Sequence, residues 1–286
     1  MKHVALFLLV FLAVTSQASA GTLAQFRAPF GTIDVELYDQ DKPVTVQNFV
    51  RYVESGAYTN MFLHRCLPGF VVQGGGFSTS DPLDTNILTS VHSVSSLGAI
   101  TNEFNVGPRL SNVYGTIAMA KAGGDPNSAS SQWFFNLGNN SANLDNQNGG
   151  FTVFGRLIGG TNVLNLFNAV SKGNGIVDLQ KFYGTNQSTE PFTDLPVHYF
   201  GQVPPHYNDL VYVDVSLLSV QVRLTGAGRE ISWTSVSNKL NTVEFTTNFP
   251  PVWQSLTATN GTGESFKFVD SDVAAPLQFY RVRVDY

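Results

Sequence analysis

The stretch Phe62-Leu63-His64-Arg65-Cys66-Leu67-Pro68-Gly69-Phe70-Val71-Val72-Gln73-Gly74-Gly75-Gly76-Phe77 is the densest cluster of unusual residues in the chain. Two short apolar runs, 61–66 and 70–73, read as strands, with Arg65 in the first and Gln73 in the second. Gly74 to Gly76 do not open a helix, so the glycines are no phosphate-cradling loop. Cys66 lies on an apolar strand and reads as a buried small hydrophobe; a nucleophile would call for His and Asn/Asp partners that the sequence does not identify. A second cluster follows in Gly115-Thr116-Ile117-Ala118-Met119-Ala120 and Ser131-Gln132-Trp133-Phe134-Phe135-Asn136, and a third in Phe151-Thr152-Val153-Phe154-Gly155-Arg156.

Outward from this stretch the chain is organised around short strands. Runs 22–26 and 32–37, joined at Pro29 to Gly31, read as an opening hairpin, the second run alternating Ile33, Val35 and Leu37 with Asp34 and Glu36. Pro43 suits a first helical turn. Val46, Phe49, Val50 and Val53 then fall at i, i+3, i+4 and i+7, with Gly56 as a stop, so a helix is expected over 43–55. Val163, Leu166, Phe167 and Val170 repeat the spacing and predict a second helix over 161–171. Strands are expected at 116–120, 133–137, 152–157 and, after an irregular Gly-, Pro- and Asn-rich stretch at 172–209, at 210–218. Many short strands with two helices imply a closed barrel. From 220 onward helical periodicity ends. Six evenly spaced strands, 220–224, 230–234, 242–246, 252–256, 266–269 and 278–284, with Trp233, Trp253, Phe268 and Tyr280 as core candidates, imply a small β-sandwich.

Composition narrows the function classes. The 286 residues are 43% apolar and only 13% charged, against roughly 25% charged in an average globular protein, which excludes a coiled coil. Sixteen Lys and Arg against 21 Asp and Glu give a net charge of −5; without a basic run, no electrostatic footprint for nucleic acid is present. A single cysteine excludes internal disulfides. Lys2 and His3 precede an apolar run from Val4 to Val14, and Ala18-Ser19-Ala20 supplies a small-residue cleavage pattern, so residues 1–20 read as a signal peptide. That run falls short of the roughly 20 residues that cross a bilayer, and no membrane span is expected after its removal.

The quoted segments together resemble the cyclophilin family of peptidyl-prolyl cis/trans isomerases: the HR-x-x-PGF-x-x-QGG run, the GT-x-AMA strand, the SQ-x-F run and the later FTVFGR, over roughly 24–218. Asn102-Glu103-Phe104 and the compact loop at 56–61 are similar to the bacterial exported branch. The resemblance implies a mainly β fold, a closed eight-stranded β-barrel capped by two α-helices, here followed by the sandwich. The domains expected are a signal peptide at 1–20, an isomerase domain at 21–219 and a β-sandwich module at 220–286.

The reaction explains the residue types. An X–Pro bond prefers trans by only ~0.5–1 kcal/mol but faces a rotation barrier of roughly 18–20 kcal/mol. At the twisted transition state the prolyl nitrogen gains a lone pair, so a fixed cationic donor aimed there binds that state selectively. Arg65, planar and permanently charged, is the expected catalytic group. Gln73 is expected to donate to a neighbouring substrate carbonyl. By resemblance, Phe70, Val71, Phe134, Leu144 and Phe151 line the proline pocket, and Ala120 and Lys121 offer backbone groups to the peptide with Gln132 beside them. Val71 stands where the family often has Met, Phe151 where many eukaryotic members have His, and Asn143 near a position often held by Trp. These departures imply retained activity with altered peptide preference and weak binding of the cyclosporin class.

Plainer readings stand beside these. Arg65 alone could be a surface ion-pair partner; within its motif it reads as catalytic. His64 reads as structural, because the isomerisation transfers no proton. Histidines at 3, 64, 92, 198 and 206 are scattered, which gives no zinc site. Asp145 opens a loop with Gln147 and Arg156 where a calcium loop needs acids. Asn139, Asn186 and Asn260 sit in Asn-x-Ser/Thr triplets. No role is read for His92 in the 78–100 loop. The chain thus reads as an exported isomerase, periplasmic or secreted, without cofactor or metal. It acts on proline-containing unfolded or flexible polypeptides, with no nucleic-acid partner and an unidentified partner for the C-terminal module. The rival reading is a non-catalytic proline-peptide binding or extracellular scaffold module.

Overall fold

A computed structural model describes residues 22–79, 91–179, 192–198, 207–218, 220–235, 239–248, 250–262, 264–272 and 278–285. The leader expected over 1–20, Asn186 and His206 lie outside these. The chain opens with the hairpin β1 (Leu23–Ala28) and β2 (Gly31–Leu37), followed by α1 (Pro43–Glu54). Next come β3 (Met61–Phe62), β4 (Arg65–Leu67), β5 (Val71–Gly74), β6 (Phe77–Thr79) and β7 (Val91–Ser93). Then follow β8 (Thr116–Met119), β9 (Trp133–Asn136), α2 (Ser141–Leu144), β10 (Val153–Gly159) and α3 (Thr161–Leu166). Three short strands, β11 (Ser171–Lys172), β12 (Gly175–Val177) and β13 (Leu195–Pro196), precede β14 (Asp214–Leu218).

Eight of these strands form one curled antiparallel sheet in the order β14-β1-β2-β10-β8-β9-β5-β4. At its two ends the backbone continues toward itself: Leu63 N donates to Val211 O at 2.9 Å and Val213 N to Met61 O at 2.9 Å. Side chains alternate across the strands. One face of β4, β5, β8 and β9 sends Cys66, Val72, Ile117, Met119, Trp133 and Phe135 into the main core. There Phe26 meets Trp133 and Phe135 edge-on, ring centroids 4.9 and 5.1 Å apart, contacts worth ~0.5–1.5 kcal/mol each beyond area burial. The other face is free to build a site.

Helix α1 covers this core with Val46, Phe49 and Tyr52. Its first turn lacks a cap of its own. Glu103 supplies one from a distant loop, its carboxylate accepting from Val44 N at 3.1 Å and from Thr45 N and Oγ1 at 2.7 Å. The buried Lys42 ammonium ties the same loop down, donating to the carbonyls of Glu103, Val106 and Pro108. Asn102-Glu103-Phe104 therefore has a structural use.

Several sequence expectations are corrected. The run 61–66 is two strands, because Leu63 turns its N–H to Val211 while His64 N donates to Gln73 O. Helix α3 stops at Leu166 rather than 171, where Asn168 leaves to accept from Gly69 N and donate to Leu137 O. A third α-helix, the four-residue α2, is too short to show periodicity. Strand 210–218 is regular only from Asp214, β11 begins at Ser171, the last residue of the helix expected over 161–171, and β12 and β13 lie in the stretch expected to be irregular.

Beyond residue 219 lie β15 (Val220–Thr225), β16 (Gly228–Thr234), β17 (Leu240–Thr246), β18 (Gln254–Asn260), β19 (Ser265–Asp270) and β20 (Phe279–Asp285). They form two antiparallel three-stranded sheets, β15-β16-β19 and β18-β17-β20. Ile231, Trp233 and Val243 are buried in one cluster with Phe266, Phe268, Tyr280 and Val282 packed on it. Trp253 is not part of that cluster; Arg281 lies over its ring at 4.3 Å.

Candidate active site

Strand register assembles the site. On the sheet face opposite the core, Arg65 of β4 pairs with Gln73 of β5, Gln73 with Phe134 of β9, Phe134 with Ala118 of β8, and Ala118 with Val153 of β10. Directly opposed residues share a face. One row therefore runs from a cation through an amide onto apolar ground. Two positions along the strands, Val71 joins the same face. Val71, Phe134, Leu144, Ala118 and Val153 form a small apolar cluster with Phe70, Ala120 and Phe151 packed on it.

A groove of about 600 Å³, open to solvent, is lined by Arg65, Phe70, Val71, Gln73, Ala120, Lys121, Phe134, Leu144, Gln147 and Phe151. An adjoining groove of about 570 Å³ shares Gln73, Ala120 and Lys121 and adds Ala122, Ser128, Ser130 and Gln132. All ten residues singled out from the sequence thus lie on two contiguous grooves. Gln147 escaped the sequence reading, in which it served only to argue against calcium. Asn143 lines neither groove; its carbonyl accepts from Gln147 N inside the short helical segment.

The polar groups are fixed in different ways. Among the described residues Arg65 makes no ion pair, whereas Arg27, Arg156, Lys172, Lys267, Arg281 and Arg283 all do. Gln73 Nε2 donates to Gln132 Oε1 at 2.7 Å, which orients the amide and leaves its second N–H for a ligand. Ala120 spends its N–H on Gln132 O at 2.9 Å. The Lys121 side chain turns to the loop that carries Phe151, donating to Asn148 O at 2.7 Å and Gly150 O at 2.6 Å. Phe151 meets Phe134 edge-on at 5.9 Å, and the Lys121 ammonium lies 4.7 Å from the Phe151 ring centroid.

His64 and Cys66 alternate away from this face. Burial, aided by the positive charge of Arg65, pushes the His64 pKa down to about 3, against a hydrogen bond with Gln132 that raises it. A neutral imidazole enclosed at 1% exposure has no acid-base work to do at neutral pH. Among the described residues no group of three or more His, Cys, Asp or Glu gathers to hold a metal. No helix among them is long and apolar enough to cross a membrane.

Comparison with known proteins places this geometry in a family. The family described as "Cyclophilin type peptidyl-prolyl cis-trans isomerase/CLD" matches residues 23–203. The chain is 34% identical over 154 residues to a peptidyl-prolyl cis-trans isomerase of Acinetobacter baylyi, covering 54% of this chain and 75% of that one. It is 36% identical over 159 residues to peptidyl-prolyl cis-trans isomerase A of Dickeya dadantii, covering 55% and 76%. With isomerase B of Escherichia coli it shares 32% over 155 residues, covering 53% and 87%. Among solved structures, a cyclophilin-type isomerase of Cryptosporidium parvum, crystallised in the presence of the dipeptide Ala-Pro, overlays with a TM-score of 0.45 at 21% identity, covering 69% of this chain and 99% of that one. The match over 23–203, joined to sequence identities above 30% with three-quarters or more of each bacterial relative, shows that the chain belongs to the cyclophilin-type peptidyl-prolyl cis-trans isomerases.

Proposed function

We propose that the protein is an exported isomerase, periplasmic or secreted, that speeds X–Pro rotation in unfolded or flexible polypeptides and so assists their folding. The observation that carries the site assignment is the row Arg65–Gln73–Phe134, a guanidinium with no ion pair among the described residues standing beside an apolar seat. Proline settles against Phe70, Val71, Phe134, Leu144 and Phe151, where little water competes. Gln73 holds one carbonyl of the peptide with its remaining N–H. As the amide twists, resonance is lost and the prolyl nitrogen gains a lone pair; Arg65 donates toward it and stabilises the twisted state more than either planar isomer. Every ~1.4 kcal/mol of that difference is tenfold in rate.

The same proposal covers the architecture around the site. The bonds between Leu63 and Val211 and between Met61 and Val213 support a sheet closed into a barrel. The shared cluster of Trp233, Val243 and Ile231 supports a sandwich module over 220–286, following an isomerase domain at 21–219. The small-residue pattern Ala18-Ser19-Ala20 supports removal of a leader before Gly21.

The experiment is refolding of a substrate whose slow phase is proline isomerisation, with the secreted protein and its Arg65→Ala variant. The wild type shortens the slow phase and the variant does not; N-terminal sequencing of the exported chain begins at Gly21. Equal refolding rates with both proteins would overturn the folding role and favour the non-catalytic binding module.

A further inference from the structure

Three successive residues of the loop behind the proline seat, Asn148, Gly149 and Gly150, have φ of +49°, +74° and +78°. Such a run is costly at the non-glycine position and persists where its surroundings hold it. The carbonyls of Asn148 and Gly150 both accept from the Lys121 ammonium, at 2.7 and 2.6 Å. The next residue is Phe151, over whose ring the same ammonium lies at 4.7 Å. Asn148 Nδ2 returns a bond to Ala122 O at 2.8 Å, and Asn102 Nδ2 holds Gly149 O and Gly150 O from outside the groove.

We propose that Lys121 is a positioning residue for the isomerase site: its charged ammonium ties the Asn148–Gly150 turn and fixes Phe151 as a wall of the proline seat, so that peptide affinity depends on that charge. The inference rests on the isomerase site described above and concerns how that site is held. Lys121 stands where the two grooves meet, two residues beyond β8, and touches the opposite wall; removing its charge frees the wall without touching Arg65.

The charged and titratable groups around Lys121 are few. Arg65 shares its groove. Asp125 acts on Lys121 from the loop after it, favouring the charged form. Asp145, on the same loop as Phe151, is turned to Asn112 N and Nδ2 at 2.9 Å. Tyr38, packed on the same apolar cluster, has its pKa raised from 10.0 by burial. Burial lowers the Lys121 pKa to about 8, which places its titration between pH 7 and 9.5.

The signs of the two consequences differ. Loss of the proton relieves the cost of burying a charge, so this group adds to fold stability as pH rises from about 8 toward the ordinary 10.5. The clamp weakens over the same interval. An alkaline loss of affinity is therefore not unfolding.

The test measures affinity for a fluorescently labelled Ala-Pro peptide, KM and kcat from pH 6.5 to 9.5 in the full chain. For the wild type, affinity falls about fivefold to tenfold across pH 8 with kcat nearly flat, the worth of one charge-assisted contact. Lys121→Met is weak already at pH 7 and shows no such limb; Lys121→Arg, charged throughout, binds more tightly at pH 9.5 than Lys121→Met. Near-ultraviolet circular dichroism verifies that each variant is folded. A Lys121→Met protein that keeps the wild-type affinity at pH 7, or the wild-type limb, overturns the proposal, as does parity of the Arg and Met variants at pH 9.5. Arg65→Ala loses turnover while keeping the limb in peptide affinity, so failure of the isomerase reading and failure of the clamp appear in different variants.

Discussion

Acid destabilises this fold through His64. The imidazole is 1% exposed and sits edge-on to the Phe77 ring at a centroid distance of 5.0 Å. Burial, and secondarily the charge of Arg65, lowers its pKa from 6.5 to about 3. The unfolded chain therefore takes up a proton near pH 6.5 that the folded chain refuses until about 3. The stability this group contributes is complete above 6.5 and is lost as pH falls through that interval. One proton of difference is worth about 1.4 kcal/mol per pH unit, so lowering the pH from 7 to 5 removes about 2 kcal/mol. Asp34 works in the other direction, because burial raises its carboxyl above 3.8 and the protonated form gains as the pH drops. Comparison with His64→Gln isolates the histidine, since glutamine cannot titrate. Urea unfolding followed by near-ultraviolet circular dichroism, which reports the packed Trp133 cluster, gives the midpoints at pH 7, 6 and 5. The wild type loses about 2 kcal/mol relative to the variant over that range. Parallel stability curves for the two proteins would refute the reasoning.

Three other outcomes follow from particular contacts. Glu103→Gln removes the carboxylate that caps α1 across the fold and lowers stability by about 1–2 kcal/mol in thermal unfolding. Gly75 has φ +77°, and a Cβ there would lie 2.4 Å from Ser131 O, whereas Gly69 at φ +74° has nothing within 4 Å; Gly75→Ala is the more destabilising by at least about 1 kcal/mol, measured by urea titration of both variants. Burial, with Asp194 adding to it, pushes the Cys66 thiol up to about 12, so a thiol reagent at pH 8 leaves the native protein unmodified and labels it in denaturant.

The parts of the fold that were legible are those set by local periodicity. Alternation of Ile33, Val35 and Leu37 with Asp34 and Glu36 marks β2, and Pro43 with the 3–4 spacing of Val46, Phe49 and Val50 marks α1. What escaped depends on distant partners. The break between β3 and β4 is made by the bond from Leu63 to Val211, far along the chain, and α3 ends early because Asn168 is engaged by Gly69 and Leu137. Trp253 looked like a core residue because aromatic rings usually are; its partner is the Arg281 guanidinium. Within the site, the resemblance of motifs named the lining residues. It did not disclose that the Lys121 side chain leaves the peptide path for the Asn148–Gly150 turn, nor that Gln147 lines the groove. Glu103 was read as a branch marker, and only its bonds to Val44 and Thr45 show the use of that carboxylate.

Arg65 at the head of the row carries the account, and magnetisation exchange between the cis and trans forms of an Ala-Pro peptide measures its work without a coupling protease. The wild-type protein accelerates the exchange; Arg65→Ala, still binding the peptide in the same spectra, is slower by about 100-fold or more, as for the loss of one preorganised donor in other enzymes. Exchange as fast with Arg65→Ala as with the wild type, at equal peptide occupancy, would contradict it.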